Sequence, residues 1–231
     1  MARLPRLAVA DHAHLVLLRG HAGQPVFRDD IDRMAFRSAL QNACRAENVA
    51  LHAYALLPER VWLLCTPGSA RGLARAMQSL GRGFSLAFNR RHGRSGSVWD
   101  GRYHASVVDG GEHSLAAMLF VDQAPVRERL AASAESANWS SARQHLGLET
   151  NLALTDVAGY WSLGNTPFER CAAYRAMLDE PLGSQLVKRL SAATQRGWAV
   201  GSPAFLDNLR QSLARPVAPQ PRGRPRKQTA P

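Results

Sequence analysis

Two short apolar runs separated by a turn signal constrain the fold of this chain more than any other feature. The run VALHAYALL at 49–57 alternates apolar and polar residues, and RVWLLCT at 60–66 follows directly after Pro58 and Glu59. Alternation with a period of two is typical of a half-buried strand, and proline marks the turn. The two runs predict an antiparallel β-hairpin in the middle of the fold.

Periodic segments on either side of this hairpin predict further strands and helices. The predicted elements are a strand at 14–20, a helix from Asp29 or Asp30 to about Glu47, the hairpin, a helix capped by Ser69 and running to about Asn89, a strand ending near Val108, and a helix at 112–123 stopped by Pro125. The order β-α-β-β-α-β-α predicts an α+β fold with a ferredoxin-like antiparallel sheet, two helices on one face and an open second face.

Helical spacing also assigns an inward face to each of the two long helices. The predicted inward residues are Ile31, Met34, Ala35, Ala39, Leu40, Ala43 and Cys44 in the first helix, and Leu73, Ala76, Met77, Leu80, Phe84 and Phe88 in the second.

The C-terminal third has a different character. Helical periodicity dominates 138–214, with FERCAAYRAML, GSQLVKRLSAAT and AFLDNLRQSL as its clearest stretches. The last segment, 215–231, is rich in proline and basic residues, so we expect it to be disordered. The sequence therefore predicts a sheet domain at 1–137, a helical C-terminal region at 138–214 and a disordered basic tail at 215–231.

Hydropathy and cysteine spacing exclude several classes of protein. No run of about 18 uncharged apolar residues exists, and Asp11, His12 and His14 interrupt the N-terminal apolar stretch, so we expect a cytoplasmic protein with no membrane partner. Its three cysteines lie far apart in sequence and lack metal-binding or disulfide spacing, which predicts small buried apolar residues.

Basic charge is concentrated in two segments of the chain. The formal net charge is +11, and 71–104 holds seven arginines against the single acid Asp100. Guanidinium groups suit phosphate binding, so the distribution favours a nucleic-acid partner, although solubility alone also produces basic proteins. The predicted contacts to a DNA backbone are Arg82, Arg90, Arg91, Arg94 and Arg102.

The second basic segment lies in the tail, where PRGRPRK at 221–227 matches the Arg-Gly-Arg-Pro core of an AT-hook. Glycine allows a close approach to the minor-groove floor, proline keeps the backbone extended, and arginines seek the negative potential of A·T-rich grooves. The motif predicts contacts of the tail with A/T-rich duplex DNA. Those contacts would come from Arg222, Arg224, Arg226 and Lys227.

A series of motifs along nearly the full chain resembles the REP-associated tyrosine transposases, which are HUH-type single-tyrosine enzymes. The motifs are LPRLAV, RGHAGQPVF, LHAYALLPERVWLL, AMQSLGRGF, NRRHGRSGSVWDGRY, APVRERL, WSS and QRGWAVGS, in that order. The resemblance implies a ferredoxin-like fold and hairpin-forming single-stranded DNA as the ligand.

The resemblance also implies catalytic groups that this sequence lacks. In the family a His-hydrophobic-His motif binds Mg²⁺ or Mn²⁺, whereas Arg60 and Trp62 occupy those positions here, and neither side chain can bind a metal. The family nucleophile is a tyrosine, and alignment on the PVR turn places Phe120 at that position, with Ala124 replacing an asparagine. We therefore expect no metal cofactor and no catalytic residue at this site.

Other groups offer alternatives at the level of sequence. Tyr103 or Tyr54 can serve as a relocated nucleophile, and His52 and His104 can form a new metal site with Asp100 or Asp122. Arg60 can neutralise a bound phosphate and Trp62 can stack on a base, unless both are products of drift.

The sequence thus predicts a nucleoid-associated protein that binds DNA hairpins and has lost strand cleavage, acting as a monomer or homodimer. An active transposase with a relocated nucleophile, a non-catalytic partner subunit of an intact transposase, and an RNA-binding module remain alternatives.

Overall fold

A four-stranded antiparallel sheet forms the centre of the protein. The structure, a computed structural model, describes residues 6–150 and 154–219. The strands are β1 (Ala13–Arg19), β2 (Val49–Leu57), β3 (Arg60–Pro67) and β4 (His104–Val108), in the order β2-β3-β1-β4. This order, with helices between the strands, is the predicted ferredoxin-like topology, and the predicted α+β class is confirmed.

Helices account for most of the remaining described residues. They are α1 (Asp30–Ala46), α2 (Gly72–Arg91), α3 (Glu112–Asp122), α4 (Ala124–Arg127), α5 (Ala142–His145), α6 (Ala158–Trp161), α7 (Pro167–Asp179), α8 (Ser184–Arg196) and α9 (Pro203–Ser212). The three periodic stretches predicted in the C-terminal third correspond to α7, α8 and α9.

The predicted hairpin is present as β2 and β3, in which Leu57 pairs with Arg60 across the Pro58-Glu59 turn. The pairing register between β2 and β3 shifts between Leu51 and Ala53, so His52 lies at an irregularity of the β2 strand. Because β3 also pairs with β1, and β1 pairs with β4, the central strands carry ladder hydrogen bonds on both edges.

The first face of the sheet is covered by α1 and α2. All six inward residues predicted for α2 are buried, so that face is confirmed, but Ser69 lies three residues before the helix, whose N-cap is Arg71. The predicted face of α1 is partly wrong: Ile31 and Met34 are about half exposed, at 55% and 49%. Phe36 sets the rotation of α1 about its own axis, because its ring packs edge-on against the buried rings of Phe27 and Phe84.

The second face of the sheet is also covered, which corrects the expectation of an open face. Residues of β1, β2 and β3 on this side pack with α3 and with the C-terminal helices in one hydrophobic cluster that includes Trp62, Phe120, Tyr174 and Leu190. Consecutive residues of β2 and β3 are buried, as expected for strands covered on both faces. The helices after 138 supply the cover.

Residues after the predicted boundary at 137 are joined to the sheet by backbone hydrogen bonds. The Leu56 N–H donates to the Trp139 carbonyl at 2.8 Å, and the Ser141 N–H donates to the Tyr54 carbonyl at 2.9 Å. Residues 139–141 thus pair with the edge strand β2 of the sheet. The division of the chain at 137 into separate units stays a prediction.

Val217 lies in the segment predicted to be disordered, but it packs into the fold. The Ala199 N–H donates to the Val217 carbonyl at 2.8 Å, and Val217 is buried beside Phe205 and Leu209. The proposed AT-hook residues, Arg222, Arg224, Arg226 and Lys227, lie outside the described residues. Within the described ranges, no helix is both long enough and apolar enough to cross a bilayer.

Candidate nucleic-acid interface

The positions that the family resemblance assigns to metal binding and nucleophilic attack meet in the core. Trp62, on β3, and Phe120, on α3, have ring centroids 4.9 Å apart and ring planes at 90°. Their exposed fractions are 4% and 1%. Edge-to-face packing of two buried rings stabilises the contact between β3 and α3 and leaves no water between them.

This packing corrects the expectation that Trp62 stacks on a DNA base. A base needs one open face of the indole, and here the ring is enclosed by β1, β2 and α3. The strand β3 is buried on both faces. Position 62 therefore points toward the C-terminal helices instead of toward solvent.

Arg127, in the PVR turn, covers the other side of Phe120. Its guanidinium carbon lies 4.1 Å from the Phe120 ring centroid, and Nη2 donates to the Phe120 carbonyl at 2.9 Å. Burial lowers the pKa of Arg127 to about 10, so the side chain stays charged at neutral pH. In the described part of the chain its buried Nη1 has no hydrogen-bond partner.

Arg60 lies at the edge of this site with an exposed fraction of 38%. Its Nη1 is 3.6 Å from Glu128 Oε1, so a carboxylate already offsets part of its charge. The pKa of Glu128 is raised above its ordinary value, because burial raises it more than the charge of Arg60 lowers it. Phosphate binding by Arg60 stays a prediction, and it requires competition with Glu128.

The residues at positions 60 and 62 do not fit the divalent cation that the family resemblance implies. A guanidinium has no free lone pair, an indole nitrogen only donates, and the Trp62 ring is packed against Phe120. No cluster of three or more His, Cys, Asp or Glu side chains with metal-binding geometry occurs in residues 6–150 and 154–219.

The histidines considered for a replacement metal site are held apart by other contacts. His52 bonds to the Thr155 carbonyl and to Thr66 Oγ1, at 2.6 and 2.8 Å, and His104 bonds to the Gln195 carbonyl at 2.8 Å. The structure does not bring either of them to Asp122 as a shared ligand set.

Asp122 instead organises a buried polar network behind Phe120. It accepts hydrogen bonds from the Ser141 hydroxyl and, at 2.8 Å, from the Tyr174 hydroxyl, and it lies 2.6 Å from His145 Nδ1. His145 Nε2 is 3.0 Å from the His52 carbonyl, so both ring nitrogens have partners. Both oxygens of this carboxylate have hydrogen-bond partners, which favours a structural role.

Of the two tyrosines considered as relocated nucleophiles, Tyr54 is 3% exposed and Tyr103 is partly buried. Burial raises the pKa of Tyr103 above its usual value, and Arg6 and Arg102 lower it only in part. A raised pKa makes the phenolate scarcer at neutral pH, so the environment of Tyr103 opposes the role of nucleophile.

The exposed surface of α2 and the segment after it carries four of the predicted DNA contacts. Arg82 and Arg90 are exposed on α2, about 12 Å apart along its axis, and Arg102 is exposed before β4. Arg94 is partly exposed, and its Nη2 donates to the Ser97 carbonyl at 3.3 Å. Within the described ranges these four have no carboxylate within 4 Å, and we call them the α2 arginine surface.

Arg91 is not counted in that surface because it is paired with carboxylates, and its contact with DNA stays a prediction. Its guanidinium donates to Asp29 at 2.6 Å and also to Asp32, and His92 lies 3.0 Å from the same Asp32 carboxylate. Asp29 is the N-cap of α1, so Arg91 joins the end of α2 to the start of α1. Sequence spacing alone could not reveal this pairing.

The sheet order and the helices between its strands define an α+β protein of ferredoxin-like topology. A solved structure of a REP-associated tyrosine transposase bound to a REP hairpin is similar to this chain, with a TM-score of 0.52 and 12% identity, over 68% of this chain and 99% of that one. At this identity the similarity shows a shared fold.

A candidate transposase from Deinococcus radiodurans R1 also matches, with 18% identity over 56% of this chain and 95% of that one and a TM-score of 0.35. No protein-family model matches the sequence, and a comparison with curated proteins gives no match.

Proposed function

We propose that this protein binds hairpin-forming single-stranded DNA and does not cut or join it. The observation that carries the binding is the α2 arginine surface, where exposed guanidinium groups face solvent without carboxylate partners in the described ranges. The fold similarity to a transposase that was solved with a REP hairpin supports DNA as the ligand. Each phosphate neutralised on this surface would release counterions and strengthen binding at low salt.

Lack of cleavage is supported by the packing of Trp62 and Phe120. Strand transfer by a single-tyrosine enzyme needs a phenolic oxygen and a polarised phosphate at one point. At that point two carbon rings are in edge-to-face contact, and Arg127 covers the remaining side of Phe120. We therefore infer a protein of transposase ancestry that holds DNA through its arginines.

The direct experiment mixes the purified protein with a labelled DNA hairpin in Mg²⁺ or Mn²⁺ and reads binding on a native gel and cleavage on a denaturing gel. We expect a shifted band that weakens steeply with salt, and no shortened strand or covalent adduct. An Arg82→Ala/Arg90→Ala double variant should bind more weakly, whereas Arg175→Ala on α7 should bind normally.

Three outcomes would change the proposal. A covalent adduct would indicate an active enzyme, and mapping the adducted residue would locate its nucleophile. Preference for RNA of the same sequence would indicate an RNA-binding module. Absent or salt-independent binding would contradict nucleic-acid recognition by this surface, and co-purification with an intact transposase would then indicate a partner subunit.

A further inference from the structure

Two cavities adjoin each other where the chain enters β4. The first, which we call the indole cavity, measures about 440 Å³ and lies between α2 and 97–103, with Trp99 in its wall. The second, the arginine cavity, measures about 250 Å³ and lies between the start of β4 and the end of α8. Arg6, Arg102 and Tyr103 line both cavities, so the two lie side by side, and we call them together the depression.

The indole cavity is shaped by one face of α2. Its lining residues on the helix recur at spacings of three and four, so they form a single stripe, and they are Ala74, Met77, Gln78 and Gly81. Gly81 lies beside Trp99, since a Cβ added at Gly81 would be 3.8 Å from Trp99 Nε1 and Cδ1, in ordinary van der Waals contact. A volume of about 440 Å³ lies within the range of pockets that hold small organic groups, about 300 to 1,000 Å³.

Trp99 supplies an unused donor at this wall. The side chain is 7% exposed, and its buried Nε1–H finds no acceptor in the described part of the chain. Buried indole N–H groups usually have a partner, and a donor left without one weakens the fold. A ligand atom that accepts a hydrogen bond beside Gly81 would satisfy it.

Among the described residues, the lining of the arginine cavity has four guanidinium groups and no acidic side chain. The guanidinium groups belong to Arg6, Arg102, Arg196 and Arg215. Arg6 donates to the Tyr103 carbonyl at 3.1 Å with its guanidinium 4.0 Å above the Tyr103 ring. Arg215 donates to the Gly197 carbonyl at 2.8 Å. A cluster of guanidinium groups suits an anionic phosphate.

We propose that this depression binds one unpaired nucleotide of a DNA strand, with the base in the indole cavity and a flanking phosphate in the arginine cavity. The inference rests on the proposed DNA binding and adds a specific subsite to it. Arg102 belongs both to the depression and to the α2 arginine surface, and Arg82 follows Gln78 by one helical turn. A strand bound along α2 therefore reaches the depression without a change of direction.

The chemistry of the indole cavity predicts tolerance for different bases. An indole N–H can only donate, and all four bases carry at least one acceptor, either a ring nitrogen or a carbonyl oxygen. Met77 and Leu18 add apolar contacts that do not depend on the base. We expect a clear requirement for a base and only a weak preference among bases.

The test compares three labelled DNA ligands by fluorescence anisotropy: a blunt hairpin, the same hairpin with a short unpaired extension, and the same hairpin with an abasic extension. For the unaltered protein, the unpaired extension should tighten binding by about fivefold or more, as expected for one added hydrogen bond to a buried donor. The abasic extension should lose most of that gain although it keeps the phosphates.

Two glycines on α2 provide a matched pair of variants. Gly81→Leu fills the indole cavity beside Trp99, whereas Gly83→Leu projects from a position with no other atom within 4 Å. Leucine is a better helix former than glycine, so both variants should fold. Gly81→Leu should bind the blunt hairpin normally and lose the gain from the extension, and Gly83→Leu should keep both.

Two further variants make the result independent of the glycines. Trp99→Phe removes the donor and keeps a ring, and Arg196→Ala removes one cation of the arginine cavity, so each should reduce the gain from the extension. A gain that survives Gly81→Leu or appears equally with the abasic ligand would overturn the subsite while leaving hairpin binding intact. If the blunt hairpin does not bind, the proposed function fails as well.

A competition arm separates a strand from a free nucleotide. Excess thymidine monophosphate should leave the gain from the extension nearly unchanged, because a free nucleotide lacks contacts with α2. Full displacement at a concentration similar to that of the hairpin would show a mononucleotide site and would contradict the strand assignment. An equal gain from an RNA extension would contradict the restriction to DNA.

Discussion

The ring of Trp62 meets the ring of Phe120 edge-to-face, with centroids 4.9 Å apart, in the interior of the protein. The family resemblance places a metal-binding imidazole at the first position and a nucleophilic phenol at the second. Their contact confirms that β3 and α3 bring these two positions together. Apolar packing thus fills the two positions at which the resemblance implies a metal ligand and a nucleophile.

Restoring only the hydroxyl should not restore cleavage. Phe120→Tyr adds a polar group at a position that is 1% exposed, so we expect the free energy of unfolding to fall by roughly 1–3 kcal/mol if the hydroxyl finds no partner. Urea denaturation measures the loss, and a denaturing gel checks for an adduct with DNA in Mn²⁺. A covalent adduct with this variant would contradict the conclusion that Arg60 and Trp62 cannot support a metal.

Neighbouring arginines at the end of α2 should have separable roles. Arg91→Ala removes the contacts to Asp29 and Asp32, so the thermal midpoint should fall, while Arg90→Ala should leave it unchanged. For DNA binding we expect Arg90→Ala to reduce the slope of log K against log salt by about 0.7 per lost phosphate contact on single-stranded DNA. The opposite assignment, with Arg91 controlling the salt slope, would return Arg91 to the DNA interface.

Glu128 should weaken DNA binding by holding Arg60. Glu128→Gln removes the charge 3.6 Å from the Arg60 guanidinium, and exposed ion pairs contribute about 0.2–1 kcal/mol, so affinity for a hairpin should rise by about 1.4- to 5-fold. Glu135→Gln, which releases Arg175 on another surface, is the matched control. Equal effects of the two substitutions would indicate a general change in net charge instead of a contact at Arg60.

Protonation of His145 should make stability depend on pH. Burial lowers its pKa, but the Asp122 charge and hydrogen bond outweigh burial, and the pKa is raised above its ordinary value of 6.5. Because the folded pKa is the higher one, this contribution is complete below pH 6.5 and is lost as the pH rises through the raised folded value.

The measurement compares urea denaturation of the unaltered protein and of His145→Asn across this range. The difference in unfolding free energy between them should be largest below pH 6.5 and should shrink at higher pH. A difference that grows with pH would show that His145 is neutral in the folded protein. Asp122→Ala, which leaves the Ser141 and Tyr174 donors without their acceptor, should destabilise by about 3 kcal/mol or more.

Two truncations should separate the AT-hook motif from Arg215 and Val217, which contact the rest of the described chain. Removal of 220–231 should leave the thermal midpoint unchanged and weaken binding to A/T-rich duplex DNA. Removal of 215–231 also deletes buried Val217 and the Arg215 contact to Gly197, so it should cost about 1.5 kcal/mol or more of folding free energy. Unchanged duplex affinity after the shorter truncation would contradict the AT-hook assignment.

The order of strands and helices could be predicted from the sequence, because hydrophobic periodicity and turn residues are local properties. The inward face of α2, from Leu73 to Phe88, is an example: its apolar spacing leaves a single choice of buried side. Local pattern failed on α1, where Phe36 outweighed Ile31 and Met34 and set the helix rotation. The expectation that Arg60, Trp62 and Phe120 replace the groups implied by the resemblance likewise depends on residue identity alone.

Burial and pairing between distant segments were decided only by the tertiary structure. Trp62 is enclosed because α3 and the C-terminal helices cover the second sheet face, and Arg91 is paired with an aspartate 59 residues away. The depression around Trp99 combines α2, the entrance to β4 and the end of α8. The sequence thus determined the order of elements and the chemistry available at each position, and long-range packing decided which side chains reach solvent and which reach each other.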